Sequence, residues 1–129
     1  MSVNEWVHDV SWCDLPVTVR EQARRCLLDT LGAAIGGRQT DMSRIIHDFA
    51  AAAFAGQGAV LWLDGRLVSP PGAALAGGMT IDSLDIHDGH SLVKGHAGTA
   101  VVPAALAGLS LDSDPVSGQE LLALSLIHI

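Results

Sequence analysis

The chain is poor in charge, in cysteine and in aromatic residues. Charged residues make up 16% of its 129 residues, against about 25% in an average soluble domain. Apolar residues make up 49%, which excludes a disordered chain, because disorder needs low hydrophobicity and high net charge. The two cysteines, Cys13 and Cys26, form no CxxC pattern and indicate no disulfide framework. Tyrosine is absent and Phe and Trp total five, a composition that favours closely packed helices.

Basic residues and long apolar runs are also scarce. Seven Lys and Arg residues stand against 14 Asp and Glu residues, a net charge of −7, which disfavours nucleic acid as a partner because a phosphate backbone would repel the chain. The longest uncharged stretches are 15 residues (49–63, 67–81 and 97–111), short of the ~20 needed to span a bilayer. Glu5 and Asp9 stand where a secretory signal needs an apolar segment. These absences predict a cytoplasmic protein without a membrane partner.

Apolar residues recur at helical spacing over most of the chain. The pattern predicts helices over Val17–Gly37, Asp41–Gly56, Pro70–Leu84 and Thr99–Leu111, and a last helix beginning at the capping-box sequence Ser117–Glu120. Gly77-Gly78, inside the third helix, costs about 1–2 kcal/mol relative to two alanines. We therefore expect close backbone packing at this pair.

One segment has the alternation and turn residues of a β-hairpin. Ala59–Leu63 and Arg66–Val68 flank Asp64-Gly65, the dipeptide favoured in a two-residue type I′ turn. A hairpin of this size is marginal alone, so it must pack against another element. The chain is thus predicted to be an all-α helical bundle with a small β-hairpin.

Polar side chains concentrate between residues 82 and 98. The segment holds three aspartates, three of the six histidines and the only lysine: Asp82, Asp85, His87, Asp88, His90, Lys94 and His96. Asp82 and Asp85 are three residues apart, which predicts one shared helix face, with His87 pointing elsewhere. The glycine-rich loop can fold His90, Lys94 and His96 back over that face. The remaining histidines, His8, His47 and His128, are interpreted as structural or exposed.

The charge of this segment depends on its histidines. With neutral histidines it carries −2, and with all three protonated it carries +1, so protonation can decide whether an anionic ligand is accepted. A metal-dependent hydrolase using His87, His90, His96 and an Asp is one alternative, although the histidine spacing matches no established zinc pattern. A non-catalytic helical association module is another, and a merely solvated loop is a third.

Several stretches of the chain resemble one enzyme family. They are the early helix around Ala23-Arg24-Arg25-Cys26-Leu27-Leu28-Asp29-Thr30-Leu31-Gly32, and Leu84-Asp85 followed by His96-Ala-Gly98 and Val101-Val102-Pro103-Ala104-Ala105-Leu106-Ala107. The latter is similar to the signature LDFDDT…HPG…VVPAALALAE of the MmgE/PrpD family, which includes 2-methylcitrate dehydratase, cis-aconitate decarboxylase and iminodisuccinate epimerase. The sequence departs from it at His87 and Gly89, where many members have Asp and Thr.

The resemblance implies an all-α, helical-bundle domain of MmgE/PrpD type with a small β-hairpin insertion, and a separate α+β lid that this chain lacks. Residues 1–129 would then be an incomplete N-terminal portion of the helical domain, inactive alone, with residues 1–14 as an N-terminal arm. Residues 125–129 end in apolar residues without a helix-stop signal, so we expect either a truncated helix or a non-native end. The apolar excess favours a homodimer in the full-length form, or burial against further chain.

The resemblance also implies a function and its residues. Asp85 matches the family's active-site aspartate and His96 its active-site histidine, with His87, Asp88, His90 and Lys94 as candidate substrate-binding residues. The implied enzyme is a lyase or isomerase acting on a small polycarboxylate without metal or other cofactor, either a 2-methylcitrate dehydratase-like hydro-lyase or a divergent epimerase. Proton abstraction α to a carboxylate needs a base and an acid, and burial of Asp85 against the Ala-rich helices would raise its pKa towards that task.

Overall fold

The computed structural model of the chain describes residues 2–87, 89, 92, 94–111 and 114–127. Six α-helices and one two-stranded antiparallel sheet lie in this part of the chain. The helices are α1 (Val3–Asp9), α2 (Val17–Gly37), α3 (Asp41–Ala53), α4 (Pro70–Asp82), α5 (Ala97–Leu109) and α6 (Gly118–Ile127), with a 3₁₀ turn at Trp12–Asp14. The strands are β1 (Ala55–Val60) and β2 (Leu67–Val68). The predicted helical fold with a small hairpin is confirmed.

Helix ends follow local capping chemistry rather than the apolar pattern alone. Thr40 is the N-cap of α3, because its Oγ1 accepts a hydrogen bond from Ser43 N–H at 3.1 Å. The predicted capping box is present at α6, where Ser117 N–H donates to Glu120 Oε2 at 2.7 Å and Glu120 N–H donates to Ser117 Oγ at 3.2 Å. Helix α4 ends at Asp82, two residues before the predicted end.

Helix α4 lies at the centre of the molecule and packs against α5, α3 and α2. Its close approach to α5 is made possible by glycine, as predicted for Gly77-Gly78. A Cβ atom on Gly77 would lie 2.8 Å from Cβ of Pro103, and one on Gly78 would lie 2.7 Å from the carbonyl oxygen of Thr99. No larger side chain fits at either position without moving α5.

The hairpin packs over α4 and contributes to the largest buried cluster. That cluster contains Ala50, Ala59, Leu61, Val68, Ala73, Ala76 and Ala107. The predicted two-residue type I′ turn is wrong: Leu61 N–H donates to the Arg66 carbonyl oxygen at 2.9 Å, so four residues form the loop, with positive φ at Leu63 (57°) and Gly65 (91°). The wider loop turns the Asp64 carboxylate inwards, where its side chain is 7% exposed.

A second cluster joins the two ends of the described chain. Trp12, Leu15 and Ala23 pack with Leu122 of α6, so the segment predicted as an N-terminal arm, residues 1–14, packs against the helices through Trp12. No helix in the described part of the chain is long and apolar enough to cross a membrane.

Candidate active site

The polar segment predicted from the sequence lies where the C-terminal end of α4 meets the N-terminal end of α5. Asp82 is the last residue of α4, and His96 is the N-cap of α5. Because the glycine pair of α4 fixes the two helices against each other, both ends of this segment are held by the packed interior. The candidate site is therefore built on two rigid helices rather than on a loop alone.

His87 is the buried centre of a three-residue cluster. Its side chain is completely buried, and its Nε2 lies 3.3 Å from Oδ1 of Asp82. The same Nε2 is in hydrogen-bond contact with Nδ1 of His96, and the two rings lie 4.3 Å apart at 54°. The Nδ1 atom of His87 has no hydrogen-bond partner among the described residues. One nitrogen of this imidazole thus faces two polar neighbours.

The position of His87 corrects the sequence-based interpretation. We expected Asp82 and Asp85 to share a helix face and His87 to point elsewhere, but α4 ends at Asp82 and His87 folds back onto that carboxylate. Asp85 instead follows the helix in a left-handed conformation, with φ of 51° and its N–H donating to the Asp82 carbonyl oxygen at 2.9 Å. Because the chain leaves the helix there, helical spacing no longer decides which side chains meet.

The two proposed catalytic residues lie at the surface. Asp85 and His96 are both exposed, so the helices do not provide the burial that was expected for Asp85. Among the described residues, His96 contacts His87 through Nδ1, and one of its ring nitrogens lies within 4.8 Å of a carboxylate oxygen of Asp82. Whether Asp85 and His96 act on one ligand stays a prediction.

The remaining candidate substrate-binding residues are divided between described and undescribed positions. Lys94 is exposed and has a left-handed backbone, with φ of 55°. Asp88 and His90 lie outside the described residues. Of the six predicted site residues, the structure therefore brings together His87 and His96, and it adds Asp82, which we had noted only for its helix face.

A second polar network, which sequence reasoning missed, lies inside the fold. His47 of α3 is fully buried, with its Nε2 3.0 Å from Thr80 Oγ1 and its Nδ1 3.3 Å from Asp64 Oδ2. Thr80 also shares a 3.0 Å hydrogen bond with Ser43 Oγ. This network ties α3, α4 and the hairpin loop together. Of the three histidines interpreted as structural or exposed, His47 is buried and hydrogen-bonded within the fold and His8 is exposed, while His128 lies outside the described residues.

Charge in this network is balanced by arginine. Arg66 donates to both carboxylate oxygens of Asp64 at 2.6 and 2.8 Å, and Arg38 donates to Oδ2 at 3.0 Å. The hydrogen bonds from Arg66 hold the pKa of Asp64 well below its usual range. Burial lowers the pKa of His47, since desolvation disfavours the imidazolium, and this outweighs the hydrogen bond to Asp64. The lowered pKa of His47 means that protonating this buried imidazole destabilises the fold, whereas the ion pairs of ionised Asp64 stabilise it.

Comparison with known proteins bears directly on the candidate site. The family model of the MmgE/PrpD N-terminal domain matches residues 2–125 of the chain. This match includes α4, α5 and the polar segment between them. No curated protein matches the chain.

Proposed function

The chain belongs to the MmgE/PrpD family, a family of lyase and isomerase type, and we propose that it acts on a small polycarboxylate. The proposed reaction begins with metal-independent removal of a proton α to a carboxylate, followed by elimination or by return of a proton. Asp85 and His96 are the proposed acid–base pair. The family match over residues 2–125 is the observation that carries the proposal.

The placement of His96 supports this role. It is the N-cap of α5, a helix of 13 residues, and its side chain forms no capping hydrogen bond. The first turn of a helix presents backbone N–H groups and a partial positive charge, both of which attract a carboxylate. A substrate carboxylate bound there would lie beside the imidazole of His96. His87, buried beneath it, holds that ring in place through the contact with Nδ1.

Asp85 and Lys94 complete the proposed site from the connecting segment. Both are exposed, so each side chain is accessible to a ligand. Lys94 would offset part of the charge of a polycarboxylate. A carboxylate base works best when water is excluded, and the proposal therefore requires that bound substrate covers Asp85. Asp88 and His90, which lie outside the described residues, stay proposed substrate-binding residues, His90 because it would offset anionic charge.

The proposal is tested by proton exchange between substrate and solvent. The complete polypeptide encoded by the gene is incubated in D₂O with citrate, 2-methylcitrate and related tricarboxylates, and ¹H NMR follows loss of the α-proton signal and formation of product. General acid–base groups contribute typically ~10²–10⁴-fold each. Asp85→Asn and His96→Ala should therefore each slow turnover at least 100-fold.

Matched controls separate chemistry from folding. Asp41→Asn and His8→Ala remove the same functional groups at exposed positions elsewhere, and both should retain wild-type turnover. All four variants should keep the wild-type circular dichroism spectrum. Full activity in both Asp85→Asn and His96→Ala would refute the assignment of this pair, and absence of exchange with every polycarboxylate would refute the substrate class.

A further inference from the structure

We propose that Asp82, His87 and His96 form a binding site for a divalent transition-metal cation of the zinc class. One carboxylate and two imidazoles are ligands that zinc takes in proteins. One possible ligand atom from each residue lies within 4.8 Å of the other two. The three residues do not follow the histidine spacing considered from the sequence, because the carboxylate comes from the end of α4.

The distances fit a small cation. Zinc lies about 2.0–2.2 Å from nitrogen and oxygen ligands in tetrahedral geometry, which separates neighbouring ligand atoms by about 3.3–3.6 Å. The separation between His87 Nε2 and Asp82 Oδ1 is 3.3 Å. His96 Nδ1 is closer to His87 Nε2 than that, but His96 is exposed and stands at a helix end. A small movement of this ring would complete a three-ligand face for the cation.

The hydrogen-bonding capacity of the cluster also favours a cation. Carboxylate oxygens only accept, and a neutral imidazole carries one N–H, so a proton on Nε2 of His87 is shared between two acceptors. The other nitrogen of that ring has no partner among the described residues. A cation would satisfy the lone pairs of all three atoms at once, whereas one shared proton satisfies them in part.

Charge around the site does not prevent cation binding. The N-terminus of α5 carries about half a positive elementary charge, which repels a cation, but the full negative charge of Asp82 lies within the cluster. Of the other charged groups of this segment, exposed Asp85 adds a second negative charge and Lys94 a positive one. The balance among these described groups is negative. Cation binding does not rest on the proposed function, although a cation here would withdraw His96 from proton transfer.

Titration of the tag-free 129-residue chain with ZnCl₂ and, separately, CoCl₂ tests the site by calorimetry and visible absorption. We expect one saturable equivalent per chain. Asp82→Asn and His96→Ala each remove an exposed ligand and should weaken binding at least tenfold. Asp41→Asn and His8→Ala are the matched controls and should bind as the wild type does. His87→Ala should also lose binding, with circular dichroism to verify that it folds.

Two outcomes would overturn the proposal. One is the absence of saturable binding up to millimolar metal. The other is unchanged affinity in both Asp82→Asn and His96→Ala, which would place the cation elsewhere, for example at Cys13. Neither readout uses substrate, so failure here leaves the proposed catalytic function untouched, and failure of the proton-exchange assay leaves the cation site untouched.

Discussion

Gly37 of α2 and Thr80 of α4 are in direct backbone contact. A Cβ atom on Gly37 would lie only 2.0 Å from the carbonyl oxygen of Thr80. The same threonine binds His47 and Ser43 through its hydroxyl, so one residue of α4 anchors both α2 and α3. The fold thus depends on a close helix contact and a buried hydrogen-bond network that meet at a single position.

Gly37→Ala should destabilise the chain. Because the new methyl group collides with backbone, α2 must move away from α4, and overpacking of this kind costs about 1–3 kcal/mol or more. Gly32→Ala, five residues earlier in the same helix, meets no atom within 4 Å and should stabilise by about 0.5–1 kcal/mol. Urea unfolding measures both. Equal stability of the two variants would contradict the close contact.

Thr80→Val should destabilise by removing hydrogen bonds without changing side-chain volume. His47 and Ser43 are both fully buried; the substitution removes the partner of His47 Nε2 and of Ser43 Oγ, and an unsatisfied buried polar group costs about 1–3 kcal/mol. A double-mutant cycle with Ser43→Ala, followed by urea unfolding, should give a coupling free energy of about 0.5 kcal/mol or more. Additive effects of the two substitutions would show that their 3.0 Å contact contributes nothing.

Local sequence patterns predicted the features of the fold that are themselves local. Helices α2 to α6, the Ser117 capping box and the need for glycine at Gly77-Gly78 follow from spacing and side-chain chemistry within a few residues. Helix α1 (Val3–Asp9) was not predicted, because that segment was expected to be an N-terminal arm. The contacts of His47 with Thr80 and of Arg38 with Asp64 join residues 33 and 26 positions apart. The spacing of apolar residues does not indicate which distant polar side chains contact one another, so the network around His47 and Asp64 was not predicted.

In the candidate site, too, the sequence did not predict which side chains contact one another, although the residues are close in the chain. The composition of the segment 82–98 indicated where chemistry is concentrated, and the family signature singled out Asp85 and His96. Which side chains contact one another depended on the last residue of α4. The helix ends at Asp82 rather than at Leu84, and the turn that follows brings His87 to Asp82 and leaves Asp85 exposed. If the helix had continued to Leu84, Asp85 would have been expected on the same face as Asp82 and His87 elsewhere.

As the pH is lowered, the free energy of unfolding of the chain should decrease in two separate steps. Burial lowers the pKa of His47 from 6.5, so the unfolded chain takes up this proton first and stability is lost as the pH falls below about 6.5. Hydrogen bonds from Arg66 lower the pKa of Asp64 from 3.8, so its contribution is present above pH 3.8 and lost as the pH falls below it.

Substitution separates the two steps. Urea unfolding of wild type and His47→Asn between pH 7.5 and 5 should show a smaller decrease for the variant, because Asn does not titrate. Asp64→Asn should lower stability at pH 7 and flatten the step below pH 4. If His47→Asn loses stability with falling pH as steeply as the wild type, the first step belongs to another group.

Metal removal should leave the proposed reaction intact and added zinc should inhibit it. The proposed mechanism uses a carboxylate and an imidazole as proton carriers and no Lewis acid, so dialysis against EDTA should not change turnover of a polycarboxylate. Zinc bound to Asp82, His87 and His96 would occupy the imidazole that carries the proton, and turnover should fall as the site fills, with recovery on chelation. Turnover that disappears with EDTA and returns with zinc would instead favour metal-dependent chemistry at this cluster, the alternative that its histidines and aspartates raised from the start.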